Sequence, residues 1–237
     1  MSLLEVRGLS VSSGGNEIIS DVSIEVRKGE IVALIGPNGS GKSTLCNAIA
    51  GKPYDVIGSI YFEGRDILKD GADKRARMGI LLVHQSMPML EGIKLRTLLS
   101  WLSEVHGEGI IEKAEKNAAK VGFGKEEFEK DIAKLSGGER KRMEMLLMVS
   151  LPSKLVIIDE LDSGLDIDGL RVASEIIENM KKEEKGILIV SHYPFILERL
   201  QPDRVYLMES GRIKKSGGME IVKGIKEKGY LRDENGC

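Results

Sequence analysis

Cysteine is nearly missing from this chain. Two occur in 237 residues, Cys46 and Cys237, far apart and with no ligand spacing between them. That excludes a disulfide framework and a four-thiolate iron–sulfur set, and it fits a reducing compartment. Aromatic side chains are scarce as well, one Trp, five Tyr and four Phe, which argues against a platform for stacking nucleic-acid bases. Neither sign of charge is in excess: 35 Lys and Arg stand against 37 Asp and Glu. No global field therefore draws the chain to nucleic acid or anionic lipid. No apolar run is long enough to span a bilayer, and Met1 to Arg7 carry no signal-peptide pattern. The expected setting is cytoplasmic. The length allows one large α/β domain or a core with an attached lobe.

What the chain does carry is organised around Gly36-Pro37-Asn38-Gly39-Ser40-Gly41-Lys42-Ser43-Thr44, which matches G-x-x-x-x-G-K-[ST], the phosphate-binding P-loop. It follows a buried-looking strand, Glu30 to Ile35, and opens a helix through Leu45, Ala48 and Ile49. Glycines let backbone N–H groups approach phosphate oxygens, and the helix start adds its positive dipole end. Lys42 is the point charge for the phosphates and the Ser43 hydroxyl a ligand for Mg²⁺. A plain glycine-rich turn would not need Lys-Ser at the helix start. Cys46, in that helix, reads as packing.

Leu3 to Arg7, Ile18 to Val26 and Ile57 to Gly64 read as strands of a small antiparallel sheet beside a parallel core. Gly79 to Gln85 is a continuous apolar run with a polar exit, expected to be buried on both faces of a parallel sheet. From Ile93 to about Leu151 the pattern is helical, a lobe inserted between core strands. Leu155-Val156-Ile157-Ile158-Asp159-Glu160 is a buried strand with two carboxylates at its carboxyl end, where open α/β sheets bind ligands. Asp159 suits the Mg²⁺ shell, and Glu160 suits orienting or deprotonating an attacking water. Gly186 to His192 is a further buried strand whose exit brings His192 to the same edge, and Val205 to Ile213 reads as a closing hairpin.

Leu135-Ser136-Gly137-Gly138-Glu139 returns the lobe to the core. Ser136 and Glu139 form a capping-box pattern, which a plain helix start explains. It does not explain Gly137-Gly138, since glycine in a helix costs roughly 1 kcal/mol against alanine. Two together predict that backbone comes close to something, and a helix amino terminus favours an anion. This is a second candidate phosphate site.

These motifs, in this order and over nearly the whole chain, resemble the nucleotide-binding ATPases of the ABC superfamily. Gly36 to Thr44 resembles Walker A, Leu155 to Glu160 Walker B, and Leu135 to Glu139 the signature. Gln85 matches the Q-loop glutamine, Ser163 to Asp166 the D-loop and His192 the switch histidine. The resemblance implies an α/β fold: a P-loop NTPase core with a parallel sheet, an N-terminal antiparallel β subdomain and an inserted helical subdomain. It implies a single domain over 1–237, with core and antiparallel β at about 1–85 and 152–237 and the helical part at about 86–151. It further implies ATP and Mg²⁺ as ligands, with Ser43, Gln85 and Asp159 at the metal and Glu160, His192 and Gln85 in catalysis. Two copies would close head to tail, so that Ser136, Gly137 and Gly138 act on nucleotide at the partner's P-loop. Family members often stack an aromatic of the first turn on adenine. Here that turn is Ser12-Ser13-Gly14-Gly15, so the contact is not carried over.

Within the superfamily, Asp159-Glu160-Leu161-Asp162-Ser163-Gly164-Leu165-Asp166-Ile167-Asp168-Gly169-Leu170, together with Gly138 to Arg142, Ser191-His192-Tyr193 and the Gly211 to Gly218 stretch, resembles the SufC family. These are ATPases of the SUF iron–sulfur cluster assembly system, whose partners are the scaffolds SufB and SufD. An ATPase subunit of a membrane transporter shares every catalytic motif and is the alternative. A nucleic-acid-linked member is disfavoured by the lack of a coiled-coil insertion, a second ATPase copy and a basic excess. Ser86 to Leu90, with its methionines, is the expected coupling surface toward a partner.

Overall fold

The computed structural model describes residues 2–84, 90–160, 165–191 and 194–229. Its chain begins with two long antiparallel strands, β1 (Ser2–Ser13) and β2 (Asn16–Arg27), joined through Gly14 and Gly15. Both glycines have positive φ, 58° and 81°, as a tight type I′ hairpin turn demands. Strand β3 (Ile31–Ile35) then enters a second sheet and leads into helix α1 (Lys42–Ile49). Strands β4 (Asp55–Phe62) and β5 (Arg65–Asp66) return to the first sheet, giving the antiparallel order β2-β1-β4-β5. Helix α2 (Ala72–Arg77) and strand β6 (Ile80–Val83) follow.

Between β6 and the next strand the described residues are helical or in turns, apart from one bridge between Lys94 and Asp131. They include α3 (Leu95–His106), α4 (Ile110–Ala118) and α5 (Gly137–Ser150). The chain then alternates: β7 (Leu155–Asp159), α6 (Ile167–Lys182), β8 (Gly186–Val190), α7 (Pro194–Leu200), the hairpin β9 (Arg204–Glu209) and β10 (Arg212–Gly217), and α8 (Met219–Lys228). The second sheet has the order β10-β9-β3-β8-β7-β6, parallel throughout except for the β9–β10 pair.

Every residue of β3, β7 and β8 is buried, because side chains alternate between two cores. Ile31, Ala33 and Ile35 pack on one side with Ile158, Ile189 and the buried face of α5. Val32 and Leu34 pack on the other with Leu4, Val6, Leu45 and Ile49. The antiparallel sheet and α1 thus cover one face of the parallel sheet, and the helices cover the other. In α5 the apolar residues Met143 to Met148 are buried nearly all round, and the buried Lys141 and Glu144 lie 2.9 Å apart as an ion pair, the pairing that charges need away from water.

Strand β6 is covered on both faces, as expected, with Ile80 and Leu82 packed into one core and Leu81 and Val83 into the other. Its position at the sheet edge, paired only with β7 among the described residues and with Leu81 and Leu82 half-exposed, was not legible in its apolar run. Helices α2 and α7 were not legible either. Each is of seven residues or fewer, too short for an apolar period to declare itself.

Candidate functional site

Strand register brings the chemistry to one edge. Leu34 of β3 pairs with Val190 of β8, and Val190 pairs with Asp159 of β7. The loop after β3, the carboxylates that end and follow β7 and Ser191 after β8 therefore lie side by side at the carboxyl ends of the sheet, where α/β sheets bind ligands.

The loop is shaped by close approach. A side chain at Gly36 would run into the Met208 carbonyl, and one at Gly41 would meet Met208 Cε at 3.0 Å and Ile19 Cγ1 at 3.3 Å. Gly41, with φ 102°, turns the chain into α1 without a side-chain cap, so the first amides of the helix are left to an incoming acceptor. Gly39, with φ 77°, has open space where a side chain would be. Lys42 is buried, and its ammonium sits in the curl of the loop. It donates to the carbonyls of Gly36 (2.9 Å) and Pro37 (2.8 Å) and to Ser40 Oγ (3.4 Å). Burial lowers the Lys42 pKa, against the opposing pull of Glu160 and Asp159. Asn38 is exposed at the loop tip, and Thr44, the third residue of the helix, is half-buried.

The Ser43 hydroxyl donates to Asp159 Oδ1 at 3.2 Å. Asp159 is 5% exposed, and burial raises its pKa, with the neighbouring Glu160 pushing the same way and the Ser43 bond opposing. Glu160 adopts φ 59°, a left-handed conformation costing a non-glycine residue about 1 kcal/mol or more. Its N–H donates to the Val190 carbonyl at 3.1 Å, which holds the strained residue against β8. A hydroxyl and a buried carboxylate in contact, beside a second carboxylate and a lysine, form a hard-oxygen corner that suits Mg²⁺ next to a phosphate.

Ser136 and Glu139 make both bonds of a capping box: Glu139 N–H donates to Ser136 Oγ (3.3 Å), and Ser136 N–H donates to Glu139 Oε2 (2.8 Å). A side chain added at Gly137 or Gly138 would meet nothing within 4 Å. Packing within the chain does not require glycine at either position. Among the described residues no hydrogen bond or ion pair joins this turn to Gly36–Thr44. The second phosphate candidate is thus formed, and it stands apart from the first. Gln85 and His192 lie outside the described residues, as do Ser163 of the D-loop stretch and most of the Ser86–Leu90 segment. Cys46 is fully buried and its thiol pKa is raised by burial, as a packing cysteine should be.

Two residues that bear on the site went unread in the sequence. Arg75 is 3% exposed and donates to the carbonyls of Ala48 and Ile49 (both 2.8 Å), Asp70 (2.8 Å) and Leu68 (3.0 Å). It closes the carboxyl end of α1, the helix whose other end is the P-loop. Nothing in a run of charged residues separates one buried arginine from its solvated neighbours. His84, at the exit of β6, senses the charge of Asp159. Its pKa is lowered by burial and by Lys52, with Asp159 opposing.

The family model described as "ABC transporter" matches residues 19–163. The chain is 38% identical to "Vegetative protein 296" of Bacillus subtilis, over 97% of this chain and 92% of that one. It is 38% identical to "Probable ATP-dependent transporter ycf16" of Pyropia yezoensis, over 97% and 96%. Among solved structures it is similar to one titled "Structure of ATP binding subunit of ABC transporter", with a TM-score of 0.84, 26% identity and coverage of 98% and 97%.

Proposed function

The chain belongs to the ABC transporter family of ATP-binding cassettes, which hydrolyse ATP, and on that premise we propose that it is a SufC-like ATPase driving conformational change in a cytosolic SufB/SufD-type scaffold during iron–sulfur cluster assembly. The observation that carries this reading is the run from Asp159 to Leu170, read with Gly138 to Arg142, which resembles SufC more closely than transporter subunits.

In this reading, Gly36 to Thr44 wrap the ATP phosphates with backbone N–H groups, and Lys42 turns its ammonium from loop carbonyls to phosphate oxygens. Ser43 and Asp159, joined by Gln85, would hold Mg²⁺, which would supply positive charge to the phosphate oxygens. Glu160 orients the attacking water and accepts its proton, with His192 on the phosphate side. ATPases of this family dimerise and associate with partner subunits. Ser136, Gly137 and Gly138 of one copy then close over nucleotide on the other, which gives the open backbone at the two glycines its use.

The test is to recover the tagged chain with its native partners and identify them by mass spectrometry. A soluble SufB- or SufD-like scaffold is expected. A polytopic permease would overturn the assignment and leave the ATPase chemistry intact. That second reading, a transporter ATPase, is favoured by the word "transporter" in the name of the ycf16 relative.

A further inference from the structure

A cleft of about 850 Å³ lies at the opposite edge of the parallel sheet from the P-loop. It borders Gly79, Lys154 and Lys185, the residues just before β6, β7 and β8. The five residues of β7 separate it from Asp159's carboxylate, about 16 Å at roughly 3.3 Å per residue. Its lining is strongly of one sign. Arg77, Lys113, Lys116, Lys120, Lys154 and Lys185 face it with His106, against one carboxylate, Glu183. The chain as a whole has a net charge of −2, so this basic concentration runs against the average.

Local structure accounts for part of it. Arg77, His106 and Lys116 sit in the last turns of α2, α3 and α4, where cations meet helix carbonyl ends favourably. Lys154 pairs with Glu63 at 2.6 Å and Lys185 with Glu183 at 3.1 Å. Lys113 has no such excuse. It lies in the first turn of α4, against the helix dipole, and three residues from the like charge of Lys116. Lys120 continues the same face one turn on, bonded among the described residues only to Asn117 Oδ1 at 2.9 Å. Ser153 also lines the cleft, and its buried hydroxyl has no hydrogen-bond partner among the described residues. Converged cations that outnumber the carboxylates beside them, in a concave site with an unsatisfied hydroxyl, are the chemistry that recognises a multivalent oxyanion.

We propose that this cleft binds a small polyphosphate anion, at a site separate from the ATP site. Concavity favours a small molecule over a lipid surface. Lys113 and Lys116 are exposed on α4, so they can be neutralised without touching the core.

The test titrates tripolyphosphate into the full chain calorimetrically, in Mg²⁺-free buffer with saturating ADP on the P-loop. One equivalent is expected to bind, more weakly as salt rises. The double variant Lys113→Gln, Lys116→Gln should lose about tenfold in affinity while ADP affinity is unchanged. A second readout is the His106 imidazole, whose pKa is held low by burial and by Arg77. An anion among Arg77, the lysines and Glu183 should raise it, which NMR titration would record. Failure to bind with ADP in place, or binding that the lysine changes leave intact, would overturn the proposal. So would retention on phosphatidylglycerol vesicles, lost in the double variant, without any affinity for tripolyphosphate.

Discussion

The Ser43 hydroxyl donates to Asp159 Oδ1 across 3.2 Å, though 116 residues separate the two. The contact exists because α1 starts where β3 ends and β7 lies beyond β8 in the same parallel sheet. Asp159 is held there at a cost, since burial disfavours its charge. Asp159→Asn should therefore leave the nucleotide-free chain as stable as before or more so, while Mg²⁺-dependent ATP hydrolysis is lost. Thermal melts and ATPase assays on one preparation check both halves. A variant that melts much lower would mean that Asp159 is structural.

Glu160 is pinned by its N–H to Val190 in a left-handed conformation, and strain of this kind gathers at functional positions. Glu160→Gln keeps the shape and removes the carboxylate proposed to act as base. ATP affinity should persist, turnover should fall by about a hundredfold or more, and ATP should trap a dimer visible by size-exclusion chromatography. Unchanged turnover would take Glu160 out of the chemistry.

Arg75 holds the far end of the P-loop helix through four backbone carbonyls. Arg75→Ala strands those acceptors. The loss should be about 3 kcal/mol, a fall in Tm of roughly 10 °C for a chain of this size. Arg75→Lys should recover only part of it, because an ammonium cannot reproduce the guanidinium fork. Differential scanning calorimetry separates the three proteins.

The site was legible where a motif fixes both residue type and conformation. Gly36 to Thr44 announced the loop, and Asp159-Glu160 after a buried run announced the carboxylates, because few other uses require those residues in that order. The capping box at Ser136 was legible for the same reason. Arg75 and the edge position of β6 were not. Which strand ends a sheet depends on pairing over long separations, and one buried arginine in Lys74-Arg75-Ala76-Arg77 carries no mark that a solvated one lacks.

Glu139 gives a pH signature. The Lys130 ammonium at 2.7 Å and the Ser136 N–H hold its pKa at about 2, from an ordinary 4.5. A depressed carboxyl stabilises the fold above its unfolded value, and that stabilisation drains away as pH falls from 4.5 toward 2. Urea midpoints compared at about pH 5 and about pH 3 should drop further in the natural chain than in Glu139→Gln. Equal drops would show that the pair contributes nothing.

Gly138 offers the sharpest separation of folding from function, because the two should move in opposite directions. It lies in the first turn of α5 without positive φ, and a side chain there would meet nothing within 4 Å. Alanine is the better helix former by about 1 kcal/mol, so Gly138→Ala should raise or preserve the Tm of the isolated chain. If the bare backbone is kept for nucleotide on a second copy, the added methyl stands where phosphate must come. ATP-driven dimerisation and hydrolysis should then fall together while ADP binding to the monomer is unaffected. Light scattering with and without ATP, beside a steady-state ATPase assay, measures both. A variant that is more stable and fully active would mean that the glycine pair is no phosphate site, and that Ser136 and Glu139 serve only to start a helix.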